Sequence, residues 1–397
     1  MYDQEKIDNS LSFLKNRFKE YYEKNKIVLP YRFGKREFAF IFFKGKGMYR
    51  HLSFTRKKNI DRFVIDKSPA HAYYSTAYYQ KPDAPTMQEK KWMGAELIFD
   101  LDSDHLPNAE KLSYEQQLKL VKIEFIKLVE DFLMKDFGFE EQFIDLYFSG
   151  GRGYHCHVND PKILNLDSNE RREIVDYITG RDIIDSYVFH DETTTKTTIG
   201  NRTFASGKTL KMPSPDEPGW KGRISKGIID IVEEIINNDN PKQKLKQYGV
   251  SDKTADKLLK DFSDDRIKRI KQGKLDQTST IRRFFLNNAL RKTAVSMVSG
   301  ETDEPVTCDV KRLIRLPGSL HGKTGFKVVN TPIDTLKNFE PLNDAVVLPN
   351  DMVKIDLKEK TNIKIKNEEY ALEEGIHEIP TYLAVYLIGG RKALIEL

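Results

Sequence analysis

Gly94-Ala95-Glu96-Leu97-Ile98-Phe99-Asp100-Leu101-Asp102-Ser103-Asp104-His105-Leu106 alternates, with Leu97, Phe99 and Leu101 in one set and Ile98, Asp100 and Asp102 in the other. Period two is the mark of a strand with one face against a core. Side chains at i and i+2 point the same way, roughly 6.5–7 Å apart along a strand. Asp100 and Asp102 can therefore reach two cations about 3.5–4 Å apart, the spacing used for in-line phosphoryl and nucleotidyl transfer. Hard divalent ions take oxygen ligands. The competing reading is a strand end that runs into an acidic turn, and this stretch alone leaves both open.

The surrounding chain is long for one minimal domain: 397 residues, 39% hydrophobic and 31% charged, fit one large domain with an insertion or two domains. Lys and Arg total 65 against 60 Asp and Glu, so net charge argues little for nucleic acid and distribution matters more. Two cysteines, Cys156 and Cys308, build neither a disulfide framework nor a four-cysteine zinc site, which reads as intracellular. A charged start without a following apolar region, and no apolar run near the roughly 20 residues of a membrane span, indicate neither export nor insertion.

Ahead of the acidic stretch, Leu11, Leu14, Phe18 and Tyr21 or Tyr22 keep helical spacing. Arg36 to Phe43 reads as a buried strand, with a turn at Lys44-Gly45-Lys46-Gly47 and a partner strand from Met48 to Phe54, so two antiparallel strands are expected before the acidic one. After it, Ser113 and Gln116 form a capping box, followed by the stripe Leu118, Val121, Phe125, Leu128, Val129, Phe132 and Leu133, with Gly138 at the C-cap. The strand Ile144–Phe148 then leads into Ser149-Gly150-Gly151-Arg152-Gly153-Tyr154-His155-Cys156-His157, where alternation puts His155 and His157 on one face. Glycine permits positive φ and lets backbone N–H groups approach a phosphate, and Arg152 offers a fork of donors. Hairpins also need glycine. Cys156 reads as a small buried apolar group.

From about Thr179 to Thr293 the character changes to a threonine-rich polar stretch, then Pro-rich turns, then helices with an uneven basic content. The third informative segment is Arg312-Leu313-Ile314-Arg315-Leu316-Pro317-Gly318-Ser319-Leu320-His321-Gly322-Lys323-Thr324-Gly325, where Arg315, His321 and Lys323 sit among Pro and Gly as cations and donors.

Together, the acidic strand, the glycine turn and this returning segment resemble the catalytic small subunit of archaeal and eukaryotic DNA primase, in its archaeal form. The resemblance implies a mixed-sheet α/β (α+β) catalytic core, expected at 1–180 and 291–397, with a helical insertion subdomain at 181–290. It implies two Mg²⁺ or Mn²⁺ ions held by Asp100, Asp102 and a third carboxylate, which by distance to His321 falls on Asp303, with Asp309 as the runner-up. Ser149, Arg152, His155, Arg315, His321, Lys323 and Arg36 match residues that hold the nucleoside triphosphate. Implied partners are a large regulatory subunit, a single-stranded DNA template and nucleoside triphosphates, in the cytoplasm at the nucleoid, with no membrane. Many relatives carry a zinc-binding cluster after the acidic strand. Pro107 to Asp145 has neither cysteine nor histidine, so no structural zinc knuckle is expected there. The implied activity is primer synthesis begun without a pre-existing primer. Primer extension, gap filling or lesion bypass by a primase-polymerase, and a non-catalytic nucleic-acid-binding subunit, are the alternatives.

Overall fold

Leu14, Phe18, Tyr21 and Tyr22 are buried along one face of the helix Gln4–Lys24. The tyrosine hydroxyls do more than pack: Tyr21 donates to the Gly318 carbonyl at 3.0 Å, and Tyr22 accepts from the Leu320 N–H at 3.1 Å. The first helix thus holds the returning segment by its backbone. The protein is described by a computed structural model over residues 4–105, 111–274, 279–294 and 306–396. Contacts divide it into two units, Met1–Val175 with Met297–Leu397, and Asp176–Ser296.

The first unit is α+β, and every pairing between its described strands is antiparallel. One four-stranded sheet has the order β11-β3-β1-β2, from β1 (Phe38–Ile41), β2 (Tyr49–Leu52), β3 (His71–Ser75) and β11 (Leu313–Arg315). A second has the order β12-β7-β8-β6, from β6 (Leu97–Asp102), β7 (Ile144–Phe148), β8 (Gly153–Val158) and β12 (Val329–Asn330). A hairpin of β4 (Ala77–Tyr79) and β5 (Trp92–Ala95) lies between β3 and β6 in sequence. Five strands therefore precede the end of the acidic one where sequence alternation suggested two. The missed three lie in Ala72-Tyr73-Tyr74-Ser75-Thr76-Ala77-Tyr78-Tyr79 and its partner, where tyrosines fill both faces and erase the polar–apolar period.

The capping box forms as expected: Ser113 accepts from the Gln116 N–H, and the Gln116 side chain accepts from the Ser113 N–H. The helix Tyr114–Lys127 runs on as a π-helix, Leu128–Met134, closed by a Phe137 N–H to Phe132 carbonyl bond of 2.9 Å. The widened turn keeps the adjacent pairs Leu128-Val129 and Phe132-Leu133 buried together. Towards the C-terminus, Thr381–Gly389 is apolar all round and forms a buried helix. No described helix is long and apolar enough to cross a membrane.

The second unit contains the helices Gly219–Ile236, Pro241–Gln247, Asp252–Asp261, Asp264–Lys271 and Ser279–Thr293. Its threonine-rich stretch is a strand, β9 (His190–Ile199), paired with β10 (Arg202–Lys211) through a two-residue loop with Gly200 at φ 63°. Threonine's branched Cβ favours extended backbone in spite of the stretch's low hydrophobicity.

Candidate active site

β6 and β8 are paired residue by residue, with Asp100 opposite His155 and Asp102 opposite Gly153. That register brings the acidic strand against the glycine turn. His155 Nε2 lies 3.5 Å from Asp100 Oδ1, and Arg152 Nε lies 3.6 Å from Asp102 Oδ1 while its other end pairs with Asp104. Both aspartates keep part of their surface open to solvent, with side chains 25% and 34% exposed. Burial, followed by the like charges of Asp100 and Asp104, raises the Asp102 carboxyl above its ordinary range despite Arg152 and the Asp104 N–H. The negative charge there is only partly compensated by the protein.

The turn is fixed from several sides. Ser149 Oγ accepts from the N–H groups of Gly151 and Gly153 at 3.2 and 3.4 Å, leaving its proton as the group it can offer outward. Tyr114 donates to the Gly151 carbonyl at 2.6 Å, and Thr324 to the Gly150 carbonyl at 2.5 Å. Gly150 has φ 75°, and a Cβ there would sit 2.9 Å from His321 Cβ. The missing side chain is what lets His321 pack on the turn. At Gly153 a Cβ would stand 2.0 Å from the Leu101 carbonyl oxygen, inside the backbone of β6. Gly153→Ala should therefore cost at least about 2–3 kcal/mol, read as a lowered melting temperature, because neither strand can move without breaking the register that aligns Asp102.

The returning segment completes the cluster. Arg315, on β11, lies over the Tyr73 ring at 5.0 Å, and its charge acts on Asp100, Asp102, His155 and His321. His321 is buried, and its pKa is pushed well down by burial and then by Arg315, His71, Lys323 and Arg152. Burial likewise lowers His155 to about 4 in spite of Asp100. Both imidazoles are neutral near pH 7. Lys323 is exposed on the same turn. Three stretches distant in sequence thus place Asp100, Asp102, Ser149, Arg152, His155, Arg315, His321 and Lys323 around one region of the first unit.

A carboxylate pair on one strand face, with like-charge repulsion that a cation would relieve, fits hard divalent ions. Among the described residues no group of three or more His, Cys, Asp or Glu side chains forms a metal-holding set. Asp303 lies outside the described residues. Asp309 accepts from the Lys311 N–H at 2.9 Å, and its charge acts on Arg171 and Tyr79.

A family model described as DNA primase small subunit matches residues 99–335. The chain is 42% identical to the DNA primase small subunit PriS of Methanosarcina acetivorans, over 95% of its own length and 94% of the relative's. It is 40% identical to that of Methanococcoides burtonii (95% and 96%), and 38% identical to that of Picrophilus torridus (96% and 96%). The chain belongs to the DNA primase small-subunit family. As a primase small subunit it is a nucleotidyltransferase. The span matched by the family model contains both aspartates, the glycine turn and the returning segment, and leaves Arg36 outside.

Arg36 corrects a sequence expectation. It is fully buried, and every guanidinium N–H is engaged: Nε with the Tyr31 carbonyl, Nη1 with the Ser75 and Thr76 carbonyls, and Nη2 with the Tyr78 hydroxyl and the Glu96 carboxylate. With no donor left, it cannot grip a nucleotide. It belongs instead to a polar layer between the sheets. Glu96 receives Arg36, and its other oxygen lies 3.1 Å from His157 Nδ1, which is 3.2 Å from the Tyr74 hydroxyl. Glu96 is in phase with Ile98, Asp100 and Asp102, and His157 with His155. The same strand faces that carry the candidate site are therefore anchored by a buried polar cluster, with Glu96 four residues before Asp100 and His157 two residues after His155. Sequence marks His157 only as sharing a face with His155, and gives Glu96 no signal beyond its phase with Asp100 and Asp102; nothing in the sequence singles out Tyr74.

Proposed function

We propose that this site catalyses template-directed nucleotidyl transfer and that the chain is the catalytic subunit of a DNA primase, starting short RNA primers de novo on single-stranded DNA. The observation that carries the reading is a partly compensated carboxylate pair facing a preformed set of phosphate donors drawn from two other stretches. In it, Asp100 and Asp102, with Asp303 as the third carboxylate, would hold two Mg²⁺ or Mn²⁺ ions, which would supply Lewis acidity at the attacking 3′-hydroxyl and neutralise charge on the leaving pyrophosphate.

The chain's own residues position the reactants. Arg152 and Arg315 offer planar donor forks to phosphate oxygens, Lys323 a point charge, and Ser149 its hydroxyl proton. Neutral His155 and His321 line the same region without adding positive charge that would compete with the cations. Because Arg152 and Arg315 are held by Asp104 and Tyr73, little reorganisation is needed when a triphosphate arrives. The first unit serves as the catalytic core and the second as the helical insertion subdomain. A large regulatory subunit is the partner, in keeping with the relatives' designation as small subunits.

The test is incorporation of labelled ribonucleotides on unprimed circular single-stranded DNA, with Mg²⁺ or Mn²⁺ and with EDTA, beside the same template carrying an annealed primer. Short product on the unprimed template, abolished by EDTA, is expected. Extension of the annealed primer alone would make the chain an extension polymerase, and absence of incorporation in all arms would leave a docking role. Template affinity should fall steeply as salt rises from about 50 to 200 mM, since contacts to phosphate dominate.

A further inference from the structure

His71 stands at the start of β3, two residues before Tyr73 and therefore on the same strand face. Its Nδ1 lies 2.7 Å from Arg315 Nη1 and 3.2 Å from the backbone nitrogen of Gly322. Both partners are obligate donors, because a guanidinium and a peptide N–H have no lone pair to give. Nδ1 must then be the acceptor for both, and the ring proton sits on Nε2. The ring also meets His321 edge to face, with centroids 4.9 Å apart. A Cβ on Gly322 would come within 2.9 Å of His71 Nε2, so the glycine is what admits the ring.

One lone pair thus joins two pieces of the candidate site. It sets the plane of the Arg315 guanidinium, which Tyr73 supports from below at 5.0 Å, and it fixes the backbone between His321 and Lys323. Burial and the neighbouring cations Arg315 and Lys323 hold the ring pKa down at about 3, so the acceptor persists at neutral pH.

We infer that His71 is a positioning residue for the incoming nucleotide, its unprotonated Nδ1 locking Arg315 and the His321–Lys323 turn in the geometry that receives the triphosphate. This rests on the reading of Arg315, His321 and Lys323 as triphosphate-holding residues. His71 itself touches no substrate in this assignment.

Three replacements separate the acceptor from mere bulk. His71→Asn places an amide oxygen near the Nδ1 position, His71→Gln places one near Nε2, and His71→Leu keeps volume without an acceptor. Binding of an α,β-methylene ribonucleoside triphosphate is titrated in Mg²⁺, and KM and kcat are measured for primer extension. His71→Leu and His71→Gln should weaken nucleotide binding and raise KM about tenfold, and His71→Asn should stay within about threefold of the parent, with kcat little changed in all three. In an Arg315→Ala background, His71→Leu should add less than it does alone, because most of its effect passes through that guanidinium.

Parental affinity in His71→Leu, or His71→Asn no better than His71→Gln, overturns the inference. Should the leucine variant not fold, the asparagine and glutamine pair still decides it. If Arg315→Ala leaves nucleotide affinity unchanged, the nucleotide-holding reading has failed. If Arg315→Ala weakens binding and His71→Leu does not, only the positioning role has.

Discussion

Asp102→Asn is expected to lower nucleotide incorporation by at least about 10³-fold, roughly 4 kcal/mol of transition-state stabilisation, while slightly raising the melting temperature. The two halves of this expectation have one cause. Asp102 lies on the same strand face as Asp100, and its carboxyl is pushed up by burial and then by the like charges of Asp100 and Asp104, against the pull of Arg152. A carboxyl whose folded pKa lies above its unfolded value makes its own charge a cost to folding at neutral pH. Asparagine keeps the shape, and one oxygen for the Asp104 N–H that now reaches Asp102 at 3.2 Å, while removing that cost. It also removes one of the three carboxylate charges proposed to hold the cations. Activity and thermal unfolding measured on the same preparation check both. Near-parental incorporation by the variant would sink the assignment of Asp102, and loss of activity with a large fall in melting temperature would point to a structural role instead.

That opposition between stability and activity marks which parts of the site could be found from sequence. Asp100 and Asp102 stand out because a strand otherwise filled with Leu, Ile and Phe has no structural use for two carboxylates at its end. The glycine turn is legible for a related reason: Gly150 and Gly153 occupy positions where a Cβ would strike His321 and the Leu101 carbonyl, so only glycine permits the close approach. Residues that act through other residues leave no such trace. His71 meets Arg315 across 244 positions of sequence, and Glu96 meets Arg36 across 60. Each looks locally like an ordinary polar residue on a strand. Arg36 shows the converse error, since an arginine beside a strand start invites a ligand role that only its buried, fully engaged donors exclude. The missed strands β3 to β5 share this origin: Tyr74, Tyr78 and Tyr79 are buried, and the polar ends of Tyr74 and Tyr78 are satisfied by distant partners, which pattern reading scores as neither core nor surface.

Glu96→Gln should show the opposite profile to Asp102→Asn, with a loss of about 3–5 kcal/mol in stability and a melting temperature lower by roughly 6–15 °C. Arg36 and Glu96 are both removed from solvent, with side chains 0% and 5% exposed. Burial alone would raise the Glu96 carboxyl; Arg36 and His157 overcome it and hold the pKa at about 2, against an ordinary 4.5. A folded pKa below the unfolded one contributes stability that is fully present above about pH 4.5 and is lost as the pH falls towards about 2. A depression of that size is worth about 3 kcal/mol, within the range expected for leaving a buried guanidinium without its counter-charge. As the pH falls from about 4.5 towards about 2 the parent should therefore lose stability relative to Glu96→Gln, and the two curves should converge at the acid end. The paired replacement Arg36→Met with Glu96→Leu supplies the control, because an apolar pair of similar volume removes both charges and should recover the part of the loss due to an uncompensated guanidinium, while the Tyr31, Ser75 and Thr76 carbonyls lose their donor. If it does, the ion pair's use is positional. It fixes the phase of β6 against β8 four residues before Asp100 and two after His155, and the repacked protein should melt above Glu96→Gln yet incorporate nucleotide more slowly than the parent. Parental activity in the repacked protein would instead show that strand pairing alone holds the carboxylates in place.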